Sequence, residues 1–241
     1  GKNGSIGLTL GYRAAETYGG NFSFNLRRKK FGWLIDYSGL RNHNVHRMEM
    51  NRRSYEDGYV RTVNDQSDRE NNTVQQNLNS VFEWRLSDRT ILNVGFTGYR
   101  RKWSLTALAT DDNHVAMDST VITSMNIVES NIWKSATGAV GLKTKNKKKS
   151  EASFSLDYLY YHNDNPSTYD NDAFYEQQRM QESSRIDLKK DTPIRIFVAK
   201  ADYVYSPSAA MSLELGVKVT TSSLDNNVLV RRLVEDVWTA D

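Results

Sequence analysis

The sequence predicts an all-β chain, an antiparallel up-and-down meander of about nine strands that forms part of a large transmembrane β-barrel. Three observations predict it: apolar and polar residues alternate strictly in short segments, the connections between these segments are alternately tight and long, and aromatic residues gather beside the tight ones.

The alternation runs the length of the chain. It begins with Ile6, Leu8, Leu10 and Tyr12 against Gly7, Thr9, Gly11 and Arg13, and recurs in Phe22, Phe24 and Leu26. Phe31, Trp33, Ile35 and Tyr37 follow, then Leu78, Ser80, Phe82, Trp84 and Leu86, then Leu92, Val94 and Phe96. Residues 133–143 carry a weaker version through Val140 and Leu142, and Phe154, Leu156, Tyr158 and Tyr160 a strong one. Phe197, Ala199, Ala201, Tyr203 and Tyr205 precede the most regular segment, Met211, Leu213, Leu215, Val217 and Val219. Period two places such residues on one face of a strand. Only the last twenty or so residues leave room for a helix; a terminal loop near 222–241 is the main expectation there.

Tight connections are expected at 28–30, 86–89, 145–150 and 206–210, where Ser, Asp, Asn, Pro or clustered Lys favour turns. Between them, 53–72, 108–130 and 163–180 read as long polar loops. Short turns on one side and long loops on the other are the asymmetry of outer-membrane barrels, and strands of about 9–11 residues suffice to cross. Trp33, Phe82, Trp84, Tyr203 and Tyr205 lie beside the short turns and are expected to form the periplasmic aromatic girdle. The interleaved charged residues Arg13, Asp36, Glu83, Asp157, Lys200, Asp202, Glu214 and Lys218 are assigned to the lumen, where they would line a ligand path, because a charge facing lipid near the midplane costs about 2–4 kcal/mol.

Composition agrees. A mean hydropathy of −0.66 is expected when only alternate residues face lipid. Among 241 residues, 32 Lys+Arg against 29 Asp+Glu leave a charge of +3, too small to indicate a nucleic-acid partner. The absence of cysteine excludes disulfides and thiolate metal sites. No apolar run approaches the roughly 18 residues of a membrane-spanning helix.

Chemical motifs are weak. His43 and His46, three apart on a strand, are expected to face opposite sides, so no metal site is assigned. His162, Asp164, Asp170 and Asp172 lack the spacing of a calcium loop, and the four histidines give no nucleophile an adjacent base. Neither catalysis nor a cofactor is expected, and Lys147, Lys148 and Lys149 read as a solvated periplasmic turn.

The opening from Gly4 to Tyr12, followed by 18–26 and Gly32-Trp33, resembles the entry into the barrel of TonB-dependent-receptor-like outer-membrane proteins, just after their plug. The stretch from Thr192-Pro193-Ile194 through Ser206-Pro207 to Lys218, and Leu224-Asp225-Asn226-Asn227 with Trp238 beyond it, is similar to the same family. The resemblance implies nutrient uptake across the outer membrane of a Gram-negative bacterium, with outer-membrane lipid, the remainder of the barrel and its plug, and TonB acting through that plug as partners. An odd strand count and the lack of a returning strand after Leu233 suggest a single partial barrel segment, 1–241, with open edges that could pair with a second copy. The competing reading is a soluble β-rich extracytoplasmic binding or adhesion module, with apolar faces packed as two sheets.

Overall fold

A computed structural model of the chain describes residues 1–56, 59–115, 119–146, 150–208, 211–234 and 237–240. The expected lysine turn at 147–149 and the end of the expected turn at 206–210 lie outside the described residues. Eleven antiparallel strands form a single sheet. They are β1 (Lys2–Arg13), β2 (Ala15–Arg27), β3 (Phe31–Glu56), β4 (Tyr59–Arg85), β5 (Thr90–Val115), β6 (Ser119–Lys145), β7 (Ser150–Tyr175), β8 (Met180–Ser208), β9 (Met211–Leu224), β10 (Asn227–Val234) and β11 (Val237–Ala240). Each pairs with its neighbour in sequence through β8, which then pairs β9 along its C-terminal half and β10 along its N-terminal half. β1 and β11 do not meet, so the sheet is open.

The first nine strands contain the nine alternating segments. The last two correct the sequence reading: the described residues of 222–241 are mostly strand rather than loop or helix, and β11 is a returning strand, with Leu233 opposite Trp238. β9 and β10 run along β8 in one continuous register, Ile194 opposite Leu224 and Asp191 opposite Asn227. The ladder lapses between them at Pro193, which has no N–H to donate. Its carbonyl still accepts from the Asp225 N–H at 3.1 Å, and Thr192 Oγ1 donates to Asn226 Oδ1 at 2.8 Å. Pro166 interrupts the β6–β7 ladder in the same way, and there the Asn165 side-chain amide donates to the Ser130 carbonyl at 2.8 Å.

The larger correction concerns length. The described residues of the expected loops 53–72, 108–130 and 163–180 are almost wholly strand: β3 through β8 are 26 to 29 residues long. At about 3.3 Å per residue such a strand reaches some 85 Å, far more than a membrane crossing requires. β1 and β2, at 12 and 13 residues, reach crossing height only and turn at Ala14, whose φ of 61° is left-handed. β2 pairs β3 from Gly32 to Asn42. On that side β3 has no strand partner from His43 to Glu56.

Opposed residues of an antiparallel pair point to the same side, so the register can be followed across strands in rows. One row is Leu26, Trp33, Phe82, Val94, Val140, Leu156, Ala199 and Val219. The row below it is Phe31, Trp84, Leu92, Leu142, Phe154, Ala201 and Val217, and the row above contains Phe24, Ile35, Phe96, Tyr158 and Phe197. This outer face is apolar and exposed. No second sheet covers it among the described residues, as a soluble sandwich would require.

Further up the same strands the pattern changes sides. In β5 the apolar positions are Leu92, Val94 and Phe96 below, but Trp103, Leu105, Ala107 and Ala109 above, one residue out of phase and therefore on the opposite, inner face. Leu105, Ala107 and Ala109 are buried there, beside the buried Ser67 and Ser167. Arg100, Arg101 and Lys102 mark the crossing point.

Candidate functional site

The inner face opposite the apolar band is the surface that a barrel turns to its lumen. All eight charged residues assigned to it by sequence, Arg13, Asp36, Glu83, Asp157, Lys200, Asp202, Glu214 and Lys218, occupy positions out of phase with the apolar rows. The register gathers some of them. Lys200 stands opposite Lys218, Asp202 opposite Gly216 and Glu214 opposite Val204, with Asp157 one step along β7 from the partner of Lys200. Lys200 Nζ and Asp202 Oδ2 pair at 2.7 Å, and Ser153 Oγ donates to the same oxygen at 3.5 Å. Gly216 makes room for this arrangement: a Cβ built there would sit 2.7 Å from Asp202 Oδ1. Asp36 and Glu83 lie farther along the sheet, and Arg13 stands alone at the tip of β1.

Between Asp36 and the neighbouring strands lies a depression of about 300 Å³ that charge-based reading missed. Its polar lining is Asn21, Ser23, Ser38, Asn77, Asn79 and Thr97. Asn77 Nδ2 donates to Ser38 Oγ at 3.1 Å and Thr97 Oγ1 to Asn79 Oδ1 at 3.4 Å. These side chains sit out of phase with Phe22, Tyr37, Leu78 and Phe96, so period two alone would have found them had uncharged residues been considered. Amides and hydroxyls in this density offer both donors and acceptors to a polar, uncharged solute.

The five aromatics assigned to the girdle, Trp33, Phe82, Trp84, Tyr203 and Tyr205, all fall on the outer face near the short turns. Phe82 stacks on Phe31 at 6.0 Å and meets Trp84 edge-on at 6.4 Å, while Trp33 Nε1 donates to Ser80 Oγ at 3.0 Å.

Above the band, cross-strand pairs replace apolar rows. His43 binds Glu16 at 3.1 Å through Nδ1 and Glu70 at 2.9 Å through Nε2, tying β2, β3 and β4 together. The bond to Glu16 pushes the imidazole pKa up, and Glu16 is held low by backbone hydrogen bonding and by His43. His46 faces the other way, beside Asn71. Arg47 grips Asp68 with two bonds of 2.7 and 2.8 Å. His162, Asp170 and Asp172 lie in β7 and each has its own partner: Asp191 at 2.5 Å, Arg185 at 3.6 Å and Ser183 at 2.5 Å. On the inner side Tyr169 donates to Glu129 at 2.5 Å, and burial, reinforced by that bond, pushes its hydroxyl up to about 12.

This geometry defines the wall of an outer-membrane β-barrel. Residues 143–241 match the outer membrane protein beta-barrel family, which covers β7 to β11 and places the chain in the outer membrane of a Gram-negative cell. No curated protein matches the chain. Among solved structures, the chain aligns with OccK2 (OpdF) of Pseudomonas aeruginosa at 6% identity over 97% of this chain and 96% of that one, with a TM-score of 0.14. OpdK of Pseudomonas aeruginosa, crystallised with vanillate, aligns at 9% identity over 96% and 94%, with a TM-score of 0.12. A BenF-like porin from Pseudomonas fluorescens Pf-5 aligns at 7% identity over 100% and 97%, with a TM-score of 0.11. Scores this low describe no superposable arrangement, and these three proteins carry no argument about this chain.

Proposed function

We propose that the chain forms part of the wall of a barrel that passes a polar solute across the outer membrane, the solute moving along the inner face. The observation that carries this reading is the lining of amides and hydroxyls, Asn21, Ser23, Ser38, Asn77, Asn79 and Thr97, with a single carboxylate, Asp36, directly behind the lipid-facing band. Amides and hydroxyls replace part of a solute's hydration shell without holding it as tightly as an unpaired charge would. Nearer the short turns, Lys200, Asp202, Glu214 and Lys218 supply charges of both signs, which select against large ions of either sign rather than concentrating one. The resemblance to TonB-dependent receptors supports a finer form, in which a plug energised through TonB drives accumulation of the solute.

Because the chain contains no cysteine, single cysteines report the wall directly. In vesicles containing the full chain, Thr97→Cys is expected to react with a membrane-impermeant maleimide, and Phe96→Cys, carrying a fluorophore, to be quenched by brominated lipid. Exchange of these two behaviours would refute the lumen assignment. Solute passage is read by swelling in arabinose of vesicles holding a closed barrel that includes this wall. Bulky replacements at Asn77 and Thr97 should slow it, and an unchanged rate would count against a path along this face. The TonB form is tested in cells whose receptor contains this wall: accumulation should stop when TonB is deleted, and unchanged accumulation would leave passive diffusion.

A further inference from the structure

We propose that Arg100, Lys102 and Lys134 form a site on the outer face of the wall for the phosphate of an anionic lipid headgroup in the outer leaflet. The register places them together. Arg100 of β5 stands directly opposite Lys134 of β6, and Lys102 follows Arg100 by two residues on the same face. All three side chains are exposed. Arg195, also exposed, flanks them one row below, opposite Tyr160.

Like charges directly opposite on a sheet repel, and here nothing within the chain offsets the repulsion. Among the described residues none of these four cations makes an ion pair or side-chain hydrogen bond. Most other cations of the outer face at or above this height have partners within the chain, Lys189 and Arg53 being the exceptions among the described residues. Arg41 bonds Asn72 and Tyr18, Arg47 takes Asp68, and Arg185 and Arg231 share Asp187. Of the nearby outer-face acids, Glu16 and Glu70 bind His43 and Asp191 binds His162, while Asp164 stands diagonally across from Lys134 on the adjacent strand and makes no ion pair with it. The cluster is therefore a local excess of positive charge that an external anion would neutralise.

Its height identifies the anion. The row beneath it, Phe22, Tyr37, Leu78, Gly98, Ala136 and Tyr160, is the last predominantly apolar row of the lipid-facing band, and ends in Arg195 on β8. One row is two residues, about 7 Å along a strand and less along the membrane normal once tilt is allowed for. A headgroup layer is of that order of thickness. Arg100 and Lys134 thus fall at headgroup depth and Lys102 at its outer boundary. Arg is well shaped for two-point contact with phosphate, and each Lys or Arg near an anionic surface contributes about a five-fold gain in association.

The test uses the full chain in neutral detergent, with a bis-phosphorylated glycolipid and its dephosphorylated form as probes and native mass spectrometry as the readout. The chain should retain the phosphorylated lipid and not the dephosphorylated one. Arg100→Gln/Lys102→Gln/Lys134→Gln should lower retention on the order of a hundred-fold. Removing three inner-face cations instead, by Arg52→Gln/Lys190→Gln/Arg232→Gln, should leave it unchanged. If the outer triple variant loses its β circular dichroism, the single changes Arg100→Lys and Lys134→Gln replace it, the first retaining most of the binding and the second losing about five-fold. Equal retention by the chain and its outer-face variants would overturn the proposal. So would full displacement by millimolar inorganic phosphate, which would make the cluster a site for a free anion rather than a lipid.

Discussion

The lower and upper halves of β3 to β8 are built from the same strands and obey opposite rules. Below Arg100 the outer face is apolar and the inner face polar; above it the outer face carries Gln, Asp, Arg and His, and small apolar residues are buried inside. The backbone ladder runs through both halves, so hydrogen bonding does not distinguish them. What differs is the medium outside: lipid demands apolar side chains outward, and water permits the ordinary soluble arrangement with apolar residues inward. The pleat converts one arrangement into the other by a one-residue change of phase, with no break in the strand.

The sharpest way to break this comparison is to place the same charge on the outer face of each half. Phe96→Arg, within the band, should destabilise the inserted chain by about 2–4 kcal/mol in urea titrations in vesicles, while Thr106→Arg, higher on the same face of β5, should change little. Equal costs would mean that the two outer faces meet the same medium. A smaller effect is expected inside the upper half, where Ala107 is 1% exposed. Ala107→Leu should cost about 1–3 kcal/mol by overpacking, read as earlier thermal loss of β signal, whereas Thr106→Leu, on the exposed side, should not.

The smallest effect concerns His43. Its pKa is raised in the folded chain, chiefly by Glu16, so its contribution is fully present below the ordinary imidazole range and is lost as pH rises through the raised folded value. An NMR titration should place the His43 midpoint above that of a free imidazole. Glu16→Gln should move it back down, and an unchanged midpoint in that variant would contradict the assigned cause.

The lower half is legible in the sequence because lipid imposes period two with few exceptions: Leu213, Leu215, Val217 and Val219 admit one reading. The same period, by itself, separates Lys200 and Asp202 from the lipid face. The upper half is hidden for two physical reasons. In 53–72 both faces are wet, so Asn, Asp, Ser and Arg occupy both, and the stretch resembles a loop. What makes it strand is cross-strand pairing, Arg47 with Asp68 and His43 with Glu16 and Glu70, and those partners lie 21 and 27 residues away. In 108–130 apolar residues fall on both faces, Leu108, Ile122 and Val128 outward and Ala109, Met125 and Ile127 inward, so no single phase stands out. The depression that Asp36 helps to line largely escapes a reading that selects lumen residues by charge, because its amides and hydroxyls are marked only by their position in the pleat.

The height of β1 and β2 has a consequence for access. These strands stop at Ala14 while β3 to β8 continue for a further 13 residues or more, a difference of about 40 Å along the strand. The rim on that side is a sill and on the other a parapet. A molecule diffusing over the cell surface therefore meets the mouth of the wall from the side at β1–β2, close to the level of the headgroups, and reaches Asn21 and Ser23 without first climbing the tall hairpins.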